Sequence, residues 1–142
     1  MASVFRVERP AAFVAHGAGG DSNLAAYMGR LIKLIPAEVL GVYLTLFGLL
    51  SPPPPPASVF LPWLPLLGLV LVIFVRAWGT RDASGSWQTV QWPAVAISAG
   101  SFVIWILVSG HSILGFVLPD LRVGTALMVL WVFFLPYIYK GD

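Results

Sequence analysis

Between Leu31 and Leu50 the chain reads LIKLIPAEVLGVYLTLFGLL, an apolar run with one acid, Glu38, set inside it. A run of about 20 such residues, wound as a helix, is long enough to cross the hydrocarbon core of a bilayer. A carboxylate at that depth is costly unless it is paired, protonated or close to water. The rest of the chain supplies little to shield it. Hydrophobic residues make up 58% of the sequence and charged residues 10%, with a mean hydropathy of +0.89. A soluble domain carries about 25% charged residues. So few polar groups cannot cover a surface in water, and the expected solvent is lipid.

Four apolar runs are expected as spans, at about 31–50, 59–78, 93–110 and 123–139. The fold expected is all-α: an integral membrane protein of four transmembrane helices in antiparallel hairpins, with a short cytoplasmic N-terminal arm. Residues 1–21 read as that flexible soluble arm and residues 22–142 as the membrane domain. Residues 1–30 hold Arg6, Glu8, Arg9, His16, Asp21 and Arg30, with no uninterrupted apolar core of a signal peptide. The glycines of HGAGG at 16–20 follow no strand and precede no Lys-Ser/Thr pair, so they read as a linker and not as a phosphate loop. Ser22 suits a helix N-cap. Leu24, Tyr27, Met28, Leu31, Ile32 and Ile35 then recur at helical spacing, with Arg30 and Lys33 off that stripe.

Prolines punctuate the runs. Pro36 either starts a new helix or kinks a continuous one, and the first span is expected to run through it with a bend. Ser51–Ala57, SPPPPPA, cannot continue a helix and reads as a stiff turn between hairpin partners. Residues 79–92 form the one polar loop in the middle of the chain, and the apolar connector His111–Leu121 is expected to lie at the interface or to re-enter the membrane shallowly. Trp63, Trp78, Trp92, Tyr137 and Tyr139 fall near span ends, where aromatic rings settle at headgroup level. Orientation comes from the bases. With the N-terminus inside, Arg6, Arg9, Arg30, Lys33, Arg76, Arg81 and Lys140 share the cytoplasmic side, against Arg122 alone outside. Both termini are therefore expected in the cytoplasm, with a bacterial inner membrane the simplest location.

Positions 38, 41, 45 and 48 share one helix face and hold Glu38, Gly41, Thr45 and Gly48, the small and polar residues of the first span. Such a stripe either packs closely on another helix or lines a pathway. Arg76, about one turn inside the cytoplasmic end of the second span, is the expected ion-pair partner of Glu38. Paired, Glu38 is structural; unpaired, it suits proton transport. A second polar stripe on the third span carries Ser98, Ser101 and Ser109, flanked by Ala94 and Trp105. Its serines are expected to bond back to their own helix or across to a neighbour. Trp105 and Trp131 need a partner for the indole N–H wherever they are buried.

No catalytic constellation converges, so an enzyme is not expected. The chain has no cysteine, and His111, Asp120 and His16 lack metal-ligand spacing. No cofactor, metal or nucleic acid is expected as a partner. One local string, Ala37, Glu38, Val39, Leu40 and Gly41, resembles the AEVxG segment in the first helix of small multidrug resistance transporters. That resemblance implies a four-helix fold with Glu38 as a shared proton and cation site. It covers those five residues; the N-terminal arm, the polyproline turn and Arg76 depart from the family pattern.

A single bundle of this size encloses too little room for a polar channel. The first expectation is therefore a homo-oligomer whose Glu38/Gly41/Thr45/Gly48 face meets neighbours or lines a central pathway, as a channel or pore-forming component. An accessory or scaffolding subunit of a larger membrane complex comes second. A proton-coupled small transporter using Glu38 comes third.

Overall fold

The computed structural model describes residues 27–29, 33–51, 59–82 and 84–139. The N-terminal arm 1–21, the prolines at 52–56 and Lys140 lie outside these. Among the described residues the chain is all-α and has no strand. Helix α1 is Ala37–Leu50, α2 is Leu64–Gly79, α3 is Trp92–Val108 and α4 is Leu121–Ile138. Short 3-10 turns, Leu61–Trp63 and Trp87–Thr89, lead into α2 and α3.

Local chemistry places these ends. Pro65 and Pro93 sit in the first turns of α2 and α3, where a missing N–H costs nothing. The Asp120 carboxylate caps α4 by accepting from the Arg122 N–H at 2.8 Å. The α3–α4 connector folds back in a tight turn, with paired bridge bonds between Ile113 and Phe116. Its two corner residues, Leu114 (φ 50°) and Gly115 (φ 81°), adopt left-handed geometry. For leucine that geometry is a steric outlier.

The main core lies between α1, α2 and α3, where Val39, Tyr43, Leu64, Val72, Phe102 and Ile106 are buried together. Gly68 of α2 makes this closeness possible: a Cβ there would come within 2.5 Å of the Phe102 ring. Helix α4 contributes no residue to that cluster and leans on α3 through Gly124, Trp131 and Leu135. Contacts fix the helix directions. One end of the bundle gathers Leu34, Arg76, Ala94, Ser98, Leu135 and Tyr139. The other gathers Tyr43, His111 and the start of α4. Consecutive helices therefore alternate in direction.

The expected first span differs from the one that forms. The helix before Pro36 ends, and α1 starts afresh at Ala37, so the run is broken and not merely bent. The stretch Leu61–Gly79, 19 residues with a mean hydropathy of 1.9, is long and apolar enough to cross a membrane by itself. Ala37–Leu50, Trp92–Val108 and Leu121–Leu135 are apolar but shorter.

Candidate functional site

In an uninterrupted helix the Lys33 carbonyl would accept from the Ala37 N–H, and the Ile35 carbonyl from the Val39 N–H. Pro36 disrupts both. The Ala37 N–H turns back to Ile35 O at 2.9 Å and the Val39 N–H goes to Pro36 O at 3.1 Å. Lys33 O thereby loses its helical donor, and Ile35 O exchanges the Val39 N–H for the Ala37 N–H, beside buried neighbours. Leu34 and Pro36 are both buried. An orphaned carbonyl there would cost about 1–3 kcal/mol.

Side chains from two other helices take over. Arg76 of α2 donates from Nη1 to Lys33 O at 2.6 Å and from Nη2 to Ile35 O at 2.7 Å. Ser98 of α3 donates from Oγ to Leu34 O at 2.9 Å. Three consecutive carbonyls, 33 to 35, are thus capped from outside their own helix. Arg76 is 1% exposed and Ser98 fully buried. The Thr80 hydroxyl, itself buried, donates to Arg76 O at 2.7 Å and finishes the end of α2.

Glu38 completes the cluster. Its Oε1 lies 3.3 Å from Arg76 Nη2, so the structure makes the pair that the sequence suggests. The two ends of the pair differ in setting: the Arg76 side chain is 1% exposed and the Glu38 side chain 39%. Arg76 is held foremost by the carbonyls, at shorter distances, and the carboxylate balances its charge from the rim. A buried guanidinium needs that counter-charge.

Among the described residues, the remaining stripe residues pack against nothing. Gly41, Thr45 and Gly48 are exposed, and a Cβ built on Gly41 or Gly48 would meet nothing within 4 Å. Thr45 turns its hydroxyl back to Gly41 O at 2.9 Å. The serine stripe of α3 splits into three roles. Ser98 bonds across to residue 34. Ser101 donates to Ile97 O and accepts from Trp131 Nε1 at 2.8 Å, which satisfies that indole. Ser109 donates to Trp105 O at an exposed position.

Of the expected interfacial anchors, Trp63, Trp78, Trp92 and Tyr137 are more than half exposed. Tyr139 is a correction. The backbone leaves helical geometry there, and the ring is buried at 8% exposure in a cluster with Leu34, Ala94 and Leu135. Its ring is part of the packing at that end of the bundle.

One pairing has no sequence signal. The Tyr43 hydroxyl lies 2.9 Å from His111 Nδ1, and Phe47 stacks on the same imidazole at 4.1 Å. These residues line a cavity of about 260 Å³ with Leu61, Pro62 and Pro65. Burial lowers the His111 pKa from its ordinary 6.5. Among the described residues no group of three His, Cys, Asp or Glu side chains is placed to hold a metal. No protein-family description, curated protein or solved structure matches this chain.

Proposed function

We propose that this chain is a small integral membrane protein of four spans, with both termini in the cytoplasm of a bacterial inner membrane. Its work is to assemble with copies of itself through the α1 face of Glu38, Gly41, Thr45 and Gly48. Lipid as solvent is supported by the large apolar side chains exposed along the middles of the helices, among them Leu44, Val70, Phe74, Leu127, Leu130 and Phe133. The single observation that carries the assembly reading is the open α1 face. Glycines at 41 and 48 let another backbone approach closely, and within the described residues nothing occupies that space.

The Glu38–Arg76 bridge favours a structural role for the acid over proton carriage. A shuttle must release its partner in each cycle, and Arg76 is also the donor that mends the Pro36 break. The exporter reading loses support accordingly. Conduction along an axis lined by the same face is the second reading, favoured by the exposure of Glu38 and Thr45 on it. A scaffolding role beside a different membrane subunit uses the same face with a different occupant.

The test is the native mass of the purified protein in lipid nanodiscs, for the wild type and for Gly41→Leu with Gly48→Leu. The expected result is a discrete oligomer that falls to monomer in the double variant. A wild-type monomer in both detergent and nanodiscs overturns self-assembly. A stoichiometric second protein would redirect the reading to an accessory subunit.

A further inference from the structure

The loop between α2 and α3, the polar stretch of the chain, is folded and not slack. Thr80, Val90 and Gln91 anchor its two ends in buried positions. Inside it the Asp82 N–H donates to Thr89 Oγ1, the Thr89 hydroxyl donates to Ser86 O, and the Gln88 N–H donates to Ser86 Oγ. The Asp82 carboxylate accepts from the Ser84 N–H and hydroxyl through Oδ1.

This loop holds Arg81 between two indoles. The guanidinium carbon lies 3.8 Å from the Trp78 ring centre and 4.5 Å from that of Trp87. Arg81 Nε donates to Trp78 O and Nη1 to Gly85 O. Arg81 is half-buried, and both of its bonds to backbone carbonyls lie at exposed positions. Trp78, Trp87 and Trp92 are 57%, 53% and 57% exposed, and all stand at the end of the bundle where α2 finishes and α3 begins. Three exposed indoles at one level are expensive in water. They are stable where an apolar ring can lie beside acyl chains with its N–H among headgroups. A cation clamped among them sits at the same level, and the carboxylate of the neighbouring Asp82 is engaged by Ser84.

Resting on the membrane reading, we propose that Trp78, Arg81, Trp87 and Trp92 form a platform for anionic lipid headgroups, with Arg81 meeting a lipid phosphate. The loop lies folded down in the headgroup layer of the cytoplasmic leaflet and does not project into water. The shared chemistry is a phosphate oxyanion; its source here is the lipid, because the indoles around the guanidinium offer an apolar bed that free phosphate does not need.

The experiment reconstitutes the full chain, with Trp87 as the one remaining tryptophan and the others replaced by phenylalanine, which keeps an aromatic ring at platform positions 78 and 92, in vesicles of phosphatidylcholine and phosphatidylglycerol. Nitroxide-labelled lipid is placed either at the headgroup or at mid-chain. The expected result is stronger quenching of Trp87 by the headgroup label. A companion chain keeping only Trp105 should show the reverse order. Because replacing five tryptophans can impair folding, a second measurement uses the otherwise unchanged chain. Native mass spectrometry of wild type and Arg81→Gln, titrated with phosphatidylglycerol or with inorganic phosphate, should show lipid retention weakened about fivefold in the variant, the value of one basic residue beside an anionic leaflet. Trp87 quenched by aqueous iodide but not by the headgroup label overturns the platform while leaving the membrane reading intact. Displacement of the lipid by inorganic phosphate overturns the lipid as the source. If both Trp87 and Trp105 ignore every lipid label, the membrane reading itself falls.

Discussion

Arg76 Nη2 donates to the carbonyl of Ile35 at 2.7 Å, across the break opened by the next residue, Pro36. This contact, more than the ion pair beside it, sets the value of Arg76. Arg76→Met should cost about 3–5 kcal/mol, since it strips the Lys33 and Ile35 carbonyls of their guanidinium donors and leaves Glu38 without a counter-charge. Glu38→Gln should cost about 1 kcal/mol or less, because the acid is at the rim and its amide replacement can still accept from the guanidinium. Thermal unfolding of both variants in the same detergent checks the order. Equal losses would mean that the ion pair, not the carbonyl capping, dominates.

The serines of α3 are chemically alike and should respond differently. Ser98→Ala removes the hydroxyl that caps Leu34 O in a buried place and should lower stability by about 1–2 kcal/mol. Ser109→Ala removes a bond within its own exposed turn and should change stability by less than about 0.5 kcal/mol. Urea or sodium dodecyl sulfate titration of the two variants distinguishes them.

Glycines divide in the same way. Gly68→Ala drives a methyl against the fully buried Phe102 ring and should cost about 1–3 kcal/mol. Gly41→Ala meets nothing among the described residues and should leave the unfolding of a monomer unchanged or slightly improved, since alanine suits a helix better. Melting in a detergent that holds the protein monomeric is the check.

At the opposite end, His111 makes stability depend on pH. Its folded pKa is lowered by burial, so the neutral ring is the form the fold accepts. The contribution is complete above the unfolded value of 6.5 and is lost as pH falls through the folded value. Melting temperature should therefore fall as pH drops below 6.5, and His111→Phe should flatten that fall. Tyr43→Phe, which removes the hydroxyl beside Nδ1, should destabilise at neutral pH without flattening it.

Several of these features can be read from residue types alone. Helical runs show themselves by length and apolarity, and the Glu38–Arg76 pair by depth: two opposite charges at one level of antiparallel helices have few other partners. The α1 stripe comes from spacing. Pro36 announces a break or a bend, but its consequence is harder to see. A proline in an apolar run orphans carbonyls, and only donors at that depth can rescue them; Arg76 and Ser98 are the residue types that fit. By contrast, Tyr43 and His111 are 68 residues apart and joined through a connector whose tight turn depends on Leu114 accepting a left-handed backbone. Residue types do not announce that. The burial of Tyr139 is hidden for a related reason: ring position depends on how the chain leaves α4, which hydropathy does not encode.

The capped carbonyls also impose an order in time. A ribosome delivers residues 33 to 35 well before the groups that satisfy them. Arg76 comes 43 residues after Lys33, and Ser98 comes 64 after Leu34. Until α3 has been synthesised, the Leu34 carbonyl has no serine to accept from. The segment before Pro36 therefore cannot complete its hydrogen bonding until α3 has been made. Its carbonyls settle only when the third helix packs against them.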